Sequence, residues 1–487
     1  MQFPYQCIVA RSEPSESSIS WTLFGASGSK IVVHSSNGAT SVWPQQVGQM
    51  QISQEDEPQE PPGKRIKLSP PKEPNFNFSC LTLSNDGNYL VGVTGEDKCI
   101  RVFQVDSQSR LKQLSERCMS RRPSSITLTS DDTTILCADK FGDVYALPLL
   151  PSPEDEQPEA APPAKSEPED KNFMPSATVL TVHSGRNRKT LEEQLKQNAK
   201  GPLKTKEAMS FKHELLLGHV SMLTDLAFVN LEGRGYIITA DRDEHIRISR
   251  GIPQAHIIEG FCFGHEEFVS RMCVTRSGRL ISGGGDGQVF VWDWQNCQLV
   301  EKLPLRDIAI QHLKTRPDIN SLLSDEAAFK TAVTGIWEIP SSKDQGTEVV
   351  VACEGLPVLF SFKVDIGAVL GSSLALSGNP LDVAFVQTSQ NSWTMIVSVD
   401  NVHTPGSTAE RRGNQDASRL QCFATQADGQ WSEDAGIREA LNIFAEAGCN
   451  IDTAFNDGPS SGPTESKGVR DILYHVENLR KRPGAED

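Results

Sequence analysis

Residues 264–293 read GHEEFVSRMCVTRSGRLISGGGDGQVFVWD, and this stretch decides the fold. It opens on Gly264-His265. Apolar runs follow at 268–274 and 279–284, then Asp286-Gly287, then the run that closes on Trp292-Asp293. Read as structure, these are the strands of one blade of a WD-repeat propeller, with Asp286-Gly287 as a tight hairpin turn. The residue types imply a hydrogen-bond relay. His265 reaches the turn carboxylate of Asp286 and the small hydroxyl of Ser282, and Trp292 donates its indole N–H to the same network. A fully satisfied buried network of this kind locks one strand register. The roles of His265, Ser282, Asp286 and Trp292 are therefore structural.

The turn residue lies six positions before the closing aromatic, and that ruler can be carried along the chain. Asn37-Gly38 with Trp43 marks blade one, and Asp97 with Phe103 marks blade two. Phe141-Gly142 with Leu147 marks blade three. Gly218-His219, Thr239 and Asp243 with Ser249 mark blade four, where the aromatic is lost. Glu354-Gly355 with Phe360 marks blade six. A seventh blade is expected over 382–425, with strands at 381–386, 393–399 and 420–424 and a long polar loop at 402–418. The step from Leu147 to Ser249 is 102 residues, against 44 for the step before it. The excess matches a polar insertion, because a blade repeats every ~40–45 residues.

Composition agrees with a core interrupted by polar segments. The chain has 487 residues, of which 37% are hydrophobic, below the globular norm of about 45–50%. Residues 151–170 hold six prolines and seven acids against one lysine, and 186–206 hold seven basic residues against two glutamates. The acidic block cannot bury enough apolar surface to offset its ordering entropy, and the basic block reads as a solvated linker in preference to an RNA-binding arm. The expected organisation is blade one at 1–53, a polar linker at 54–74 and blades two and three at 75–150. An acidic and basic insertion follows at 151–210, then blades four to seven at 211–428 and a partly helical tail at 429–487. In the tail, Val469, Ile472, Leu473, Val476 and Leu479 fall at helical spacing and mark a face that packs on the propeller. The overall expectation is an all-β, seven-bladed WD-repeat propeller.

A net charge of −16 argues against a general nucleic-acid coat, which needs a positive surface. The 11 cysteines form no CxxC pair, so neither a disulfide framework nor a zinc ribbon is expected. Scattered reduced thiols fit a cytosolic or nuclear protein. The first residues lack the apolar run of a secretory signal, and no apolar stretch is long enough for a membrane span. Lys64, Arg65 and Lys67, next to prolines, have the form of a nuclear-import signal, so the nucleus is the expected location. No phosphate-binding loop, zinc-hydrolase motif or nucleophile elbow occurs. Gly283 to Gly287 is glycine-rich but opens a hairpin, not a helix. A binding platform is the expectation, and a propeller hydrolase the reading it displaces.

Residues 236–249, YIITADRDEHIRIS, followed by 256–270, HIIEGFCFGHEEFVS, closely resemble the WD-repeat, non-catalytic subunit of the fungal tRNA (guanine-N7-)-methyltransferase. The resemblance implies a propeller that forms a heterodimer with a separate Rossmann-like methyltransferase. That partner would bind S-adenosylmethionine and methylate N7 of a guanine in the tRNA variable loop, so no cofactor is expected on this chain. The propeller would hold the partner in its active conformation and help position tRNA. Glu244 and Arg247 match the family positions that form ion pairs with the catalytic subunit. Glu266, Glu267 and Phe268 would extend the patch, although relatives can carry a basic residue where Glu266 stands. Arg242 and Arg250 would reach a phosphate or the partner. Asp243 is assigned to the turn by its spacing, and His245 to the surface. The competing reading is a WD-repeat adaptor of a ubiquitin-ligase or chromatin complex, which would bind through the top face of the propeller.

Overall fold

The computed structural model describes residues 2–14, 19–44, 76–152, 209, 211–323, 325–340, 346–364, 371–389, 392–413, 418–425, 431–442 and 464–481. The import-signal residues Lys64, Arg65 and Lys67 and nearly all of the 151–210 insertion lie outside them.

Seven antiparallel sheets of four strands are arranged in a ring. The innermost strands are Cys7–Pro14, Phe78–Leu83, Pro123–Leu128, Leu223–Leu231, Val269–Val274, Val333–Glu338 and Pro380–Ser389. Each touches the next, and the last touches the first. The burial pattern follows from this packing. A middle strand such as Val289–Asp293 has sheets against both faces, so its first four residues are all buried. The outermost strand Leu111–Cys118 has water on one side and alternates between half-buried and exposed over most of its length. The apolar core is correspondingly divided into seven layers, one between each pair of neighbouring blades.

The ring closes without exchanging a strand, because blade one is built wholly from Cys7 to Trp43 and blade seven wholly from Pro380 to Glu433. The joint reuses a device found inside the ring. The Asp225 carboxylate in blade four accepts the backbone N–H of Met272 in blade five at 2.8 Å. The Asp382 carboxylate in blade seven accepts the N–H of Ile8 in blade one, also at 2.8 Å. A layer including Tyr5, Ile8, Leu23, Val386 and Ile396 fills the space behind it.

Several expectations need correction. Glu214–Gly218 pairs with Asp143–Pro148 and is the outermost strand of blade three. The polar insertion therefore lies inside blade three, between its third and fourth strands, and blade four begins at Leu223. Trp43 sits on the outermost strand of blade one, Thr40–Trp43, so the six-residue ruler slipped there by one hairpin. Trp431–Glu433, placed in the tail by sequence, is the fourth strand of blade seven. Cys99 and Cys118 face each other across adjacent strands and are disulfide-bonded, which overturns the expectation of reduced thiols throughout.

Three helices are described: α1 (Leu305–Lys314), α2 (Ala435–Asn442) and α3 (Thr464–Leu473). Helix α1 lays Leu305, Ala309 and Leu313 onto the layer between blades five and six. Among the described residues, no helix is long and apolar enough to cross a membrane.

Candidate functional site: the edge of blades four and five

The blade-five relay closes completely. Nδ1 of His265 lies 2.6 Å from the Asp286 carboxylate, and Nε2 lies 2.7 Å from the Ser282 hydroxyl. Trp292 donates Nε1–H to the same hydroxyl at 2.8 Å. The Asp286 carboxylate can only accept, so Nδ1 carries a proton and donates to it. The second Asp286 oxygen accepts the N–H of Glu266 at 3.0 Å. Serine, histidine and aspartate in this order also form the hydrolase triad. Here Ser282 is 0% exposed and its hydroxyl is already committed to His265 and Trp292. No substrate reaches it.

Blade four builds a shorter version. His219 bonds the Gly142 carbonyl at 3.1 Å and the Thr239 hydroxyl at 2.9 Å. Burial, reinforced by the Arg247 charge, holds its pKa down to about 4, so the ring is neutral. Asp243, assigned to this relay by spacing, does not join it. Asp241 caps the turn instead, accepting the N–H of His245 at 3.0 Å, and Glu244 takes a left-handed φ of 74°. The Asp243 carboxylate turns outward to Lys481 at 3.1 Å.

Lys481 belongs to a strap that sequence reasoning saw only as a helical face. Helix α3 packs Val469 and Ile472 on Phe3 and Val402. Beyond it, the chain crosses blades seven, six, five and four in turn. The Tyr474 hydroxyl donates to the Asp400 carboxylate and accepts from the Asn379 amide at 2.9 Å. The N–H groups of Val476 and Glu477 bond Glu354 at 2.6 and 3.0 Å. Arg480 bonds the carbonyls of Gly285 and Thr331, each at 3.0 Å. Val476 and Leu479 thus pack through an extended strap and a short 3-10 turn, not a continued helix. Replacing Tyr474 with Phe leaves the buried Asp400 carboxylate short of one donor. It should lower stability by about 1–3 kcal/mol in urea unfolding.

The strap lands on the residues singled out for partner binding. Arg242 donates to the Leu479 carbonyl at 2.9 Å. Glu244 pairs with Lys481 at 3.1 Å. Glu267 pairs with Arg480 at 3.0 Å and Lys330 at 3.3 Å. Phe268 is 2% exposed beneath the Arg480 guanidinium, which corrects its placement on an open patch. Arg250 is paired with Glu259 on its own blade. The strap leaves Arg247 and Glu266. Glu266 is exposed. Arg247 is half-buried, with Nε on the Ser249 hydroxyl at 3.0 Å and Nη1 on the Gly218 carbonyl at 3.1 Å. Among the described residues, no carboxylate forms an ion pair with it.

The family model described as "tRNA methyltransferase TRM82 WD40 domain" matches residues 23–423. A tRNA (guanine-N(7)-)-methyltransferase non-catalytic subunit TRM82 from Phaeosphaeria nodorum is 70% identical over 487 residues, covering 100% of both chains. The Coccidioides immitis protein of the same name is 41% identical, covering 88% of this chain and 87% of its own. That of Aspergillus oryzae is 37% identical, covering 100% and 99%. These relatives are named as the non-catalytic subunit, so this chain is not itself the catalyst. With its seven-bladed propeller and its match to the family model over most of its length, the chain belongs to the TRM82 family of non-catalytic subunits of the tRNA (guanine-N7)-methyltransferase.

Proposed function

We propose that this chain forms a heterodimer with the catalytic methyltransferase subunit through the edge of blades four and five, and holds that subunit in its active conformation. Arg247 carries the reading. Its guanidinium sits on an exposed edge, fixed by a hydroxyl and a carbonyl, with its charge uncompensated by any described carboxylate. A carboxylate of the partner would complete it. Glu266, at the start of blade five, has its backbone held by the relay and its side chain in solvent. The propeller supplies no reacting atom. Binding the active form of the partner more tightly than its inactive forms shifts the population toward activity. S-adenosylmethionine belongs to the partner, and tRNA is bound by the complex. The location on this reading is nuclear, with Lys64, Arg65 and Lys67 as the import signal.

The adaptor reading is weaker on one observation: it needs the top face, and the strap crosses four of the seven blades there.

The test uses methyl transfer to unmodified tRNA from labelled S-adenosylmethionine. Activity should require both chains. Arg247→Glu should weaken the heterodimer by at least about tenfold, since loss of one partner of a desolvated charge pair costs ~2–5 kcal/mol. The variant should remain folded, with a modest fall in its unfolding midpoint for the lost bonds to Ser249 and Gly218. Unchanged affinity would remove Arg247 from the interface.

A further inference from the structure

The strap neutralises Asp243, Glu244 and Glu267 from within the chain, so ionic contacts at those positions are already taken. What stays open on the same edge is apolar. The sheet register places Thr239, Arg247 and Phe261 directly opposite one another, so their side chains share one face of blade four. Ile258 pairs with Ser249, two residues along from Arg247, and falls on that face too. The opposite face carries Ile246, Ile248 and Cys262 into the core shared with blade five. The Phe261–Arg247 face therefore looks toward blade three, whose last strand delivers the Gly218 carbonyl to Arg247.

On this face the Phe261 and Phe263 rings stack at 5.5 Å and 18°. His245 meets Phe263 edge-on at 5.8 Å. Phe263 is 65% exposed and Ile258 44%. A single exposed apolar residue needs no explanation, but a contiguous strip of them does. A stacked aromatic pair beside a fixed arginine has the composition of an interface hot spot, where aromatic and Arg anchors hold most of the binding energy.

We propose that Ile258, Phe261 and Phe263 form the apolar anchor of the interface with the catalytic methyltransferase subunit, with Arg247 as its polar centre. This rests on the heterodimer reading above. The strip is continuous with Arg247, and the family name of the chain implies a catalytic partner. The partner surface that fits has an apolar side chain covering the Phe263 ring and a carboxylate within reach of Arg247.

The test is the affinity of the full-length chain for the purified catalytic subunit, by calorimetry. Phe263→Ala should weaken binding about tenfold, and Phe261→Ala with Phe263→Ala about a hundredfold, each tenfold step being about 1.4 kcal/mol. Phe263→Leu keeps apolar area and should stay within about threefold of wild type. Leu114→Ala, on the outermost strand of blade two, should change nothing. Because Phe263 is exposed, the unfolding midpoint of Phe263→Ala should match wild type. A second readout needs no variant. Raising salt from about 0.1 M to about 1 M collapses the screening length to roughly 3 Å, and an apolar anchor keeps the complex together where a purely ionic one separates. Wild-type affinity in Phe263→Ala, or dissociation in high salt, overturns the anchor. If Arg247→Glu still weakens binding in that case, the heterodimer reading stands without it. If the wild-type chains do not associate at all, both fall.

Discussion

Asp286→Ala is expected to lower the stability of the propeller by about 2–6 kcal/mol, at about 1–3 kcal/mol for each buried group left unsatisfied. Two donors lose their acceptor at once. The His265 Nδ1–H, on a side chain that is 0% exposed, is left facing a cavity. The Glu266 N–H loses its bond to the second oxygen. The Phe290 ring, 4.0 Å from His265, prevents the imidazole from turning to find water. Domains of this kind have about 5–15 kcal/mol in total, so the variant should unfold at a much lower urea concentration. Asp243→Ala provides the contrast. The ruler equates the two aspartates, but Asp243 is only half-buried and is paired with Lys481 at the surface, and such pairs contribute about 0–1 kcal/mol. Comparable losses in the two variants would show that the blade-four turn depends on its carboxylate after all.

That contrast locates the limit of what the sequence discloses. The blade-five relay is legible because four residues at fixed spacing must satisfy one another and nothing else is in reach. Asp243 has the right spacing, yet its carboxylate is claimed by Lys481, more than two hundred residues downstream, and no local pattern records that. The outermost strand of blade three is illegible for a related reason. Residues 214–218 read equally well as the last strand of one blade or the first of the next, and only pairing with Asp143–Pro148 decides. Two features were within reach and missed. Arg101 stands inside the apolar strand Cys99–Val105 and is 3% exposed. A buried cation in such a run signals a partner, and it pairs with Asp97 at 2.6 Å to replace the histidine of a standard relay. Leu305, Ala309 and Leu313, spaced by four, likewise announce helix α1. The disulfide left no such trace, since two cysteines nineteen apart become neighbours only once the strands pair. The edge proposed to face the partner is marked in the sequence only by a resemblance. Its separation into residues held by the strap and residues left open came from the structure.

Acidification to pH ~5 is expected to remove the stability that the propeller holds in its buried neutral histidines, before its ordinary carboxylates titrate. His34 and His219 have their pKa pushed down to about 4, in each case chiefly by burial. The second cause is also shared, a nearby cation: Arg419 for His34 and Arg247 for His219. Released into water by unfolding, each returns to about 6.5. The unfolded chain therefore binds more protons than the folded one between these values. Stability is full above pH ~6.5 and is lost as pH falls toward ~4. For His34, which is 1% exposed, the loss at pH ~5 is of order 2 kcal/mol. Asp382 works in the opposite direction. Burial raises its pKa to about 6, so its protonation relieves a cost over the same interval. Burial raises Asp139, Asp241 and Glu354 in the same direction, so the histidine contribution is read by difference in a variant that lacks it. The decisive measurement compares urea unfolding at pH 7 and pH 5 for wild type and His34→Gln. The amide retains a polar contact for the Tyr5 hydroxyl, 3.2 Å from the ring in the native chain, but cannot titrate. Whatever the substitution costs at pH 7, the stability lost between the two pH values should shrink by about 2 kcal/mol in the variant. An unchanged difference would mean that His34 is reached by water or finds an anionic partner when it charges, and that the acid sensitivity of the propeller arises elsewhere.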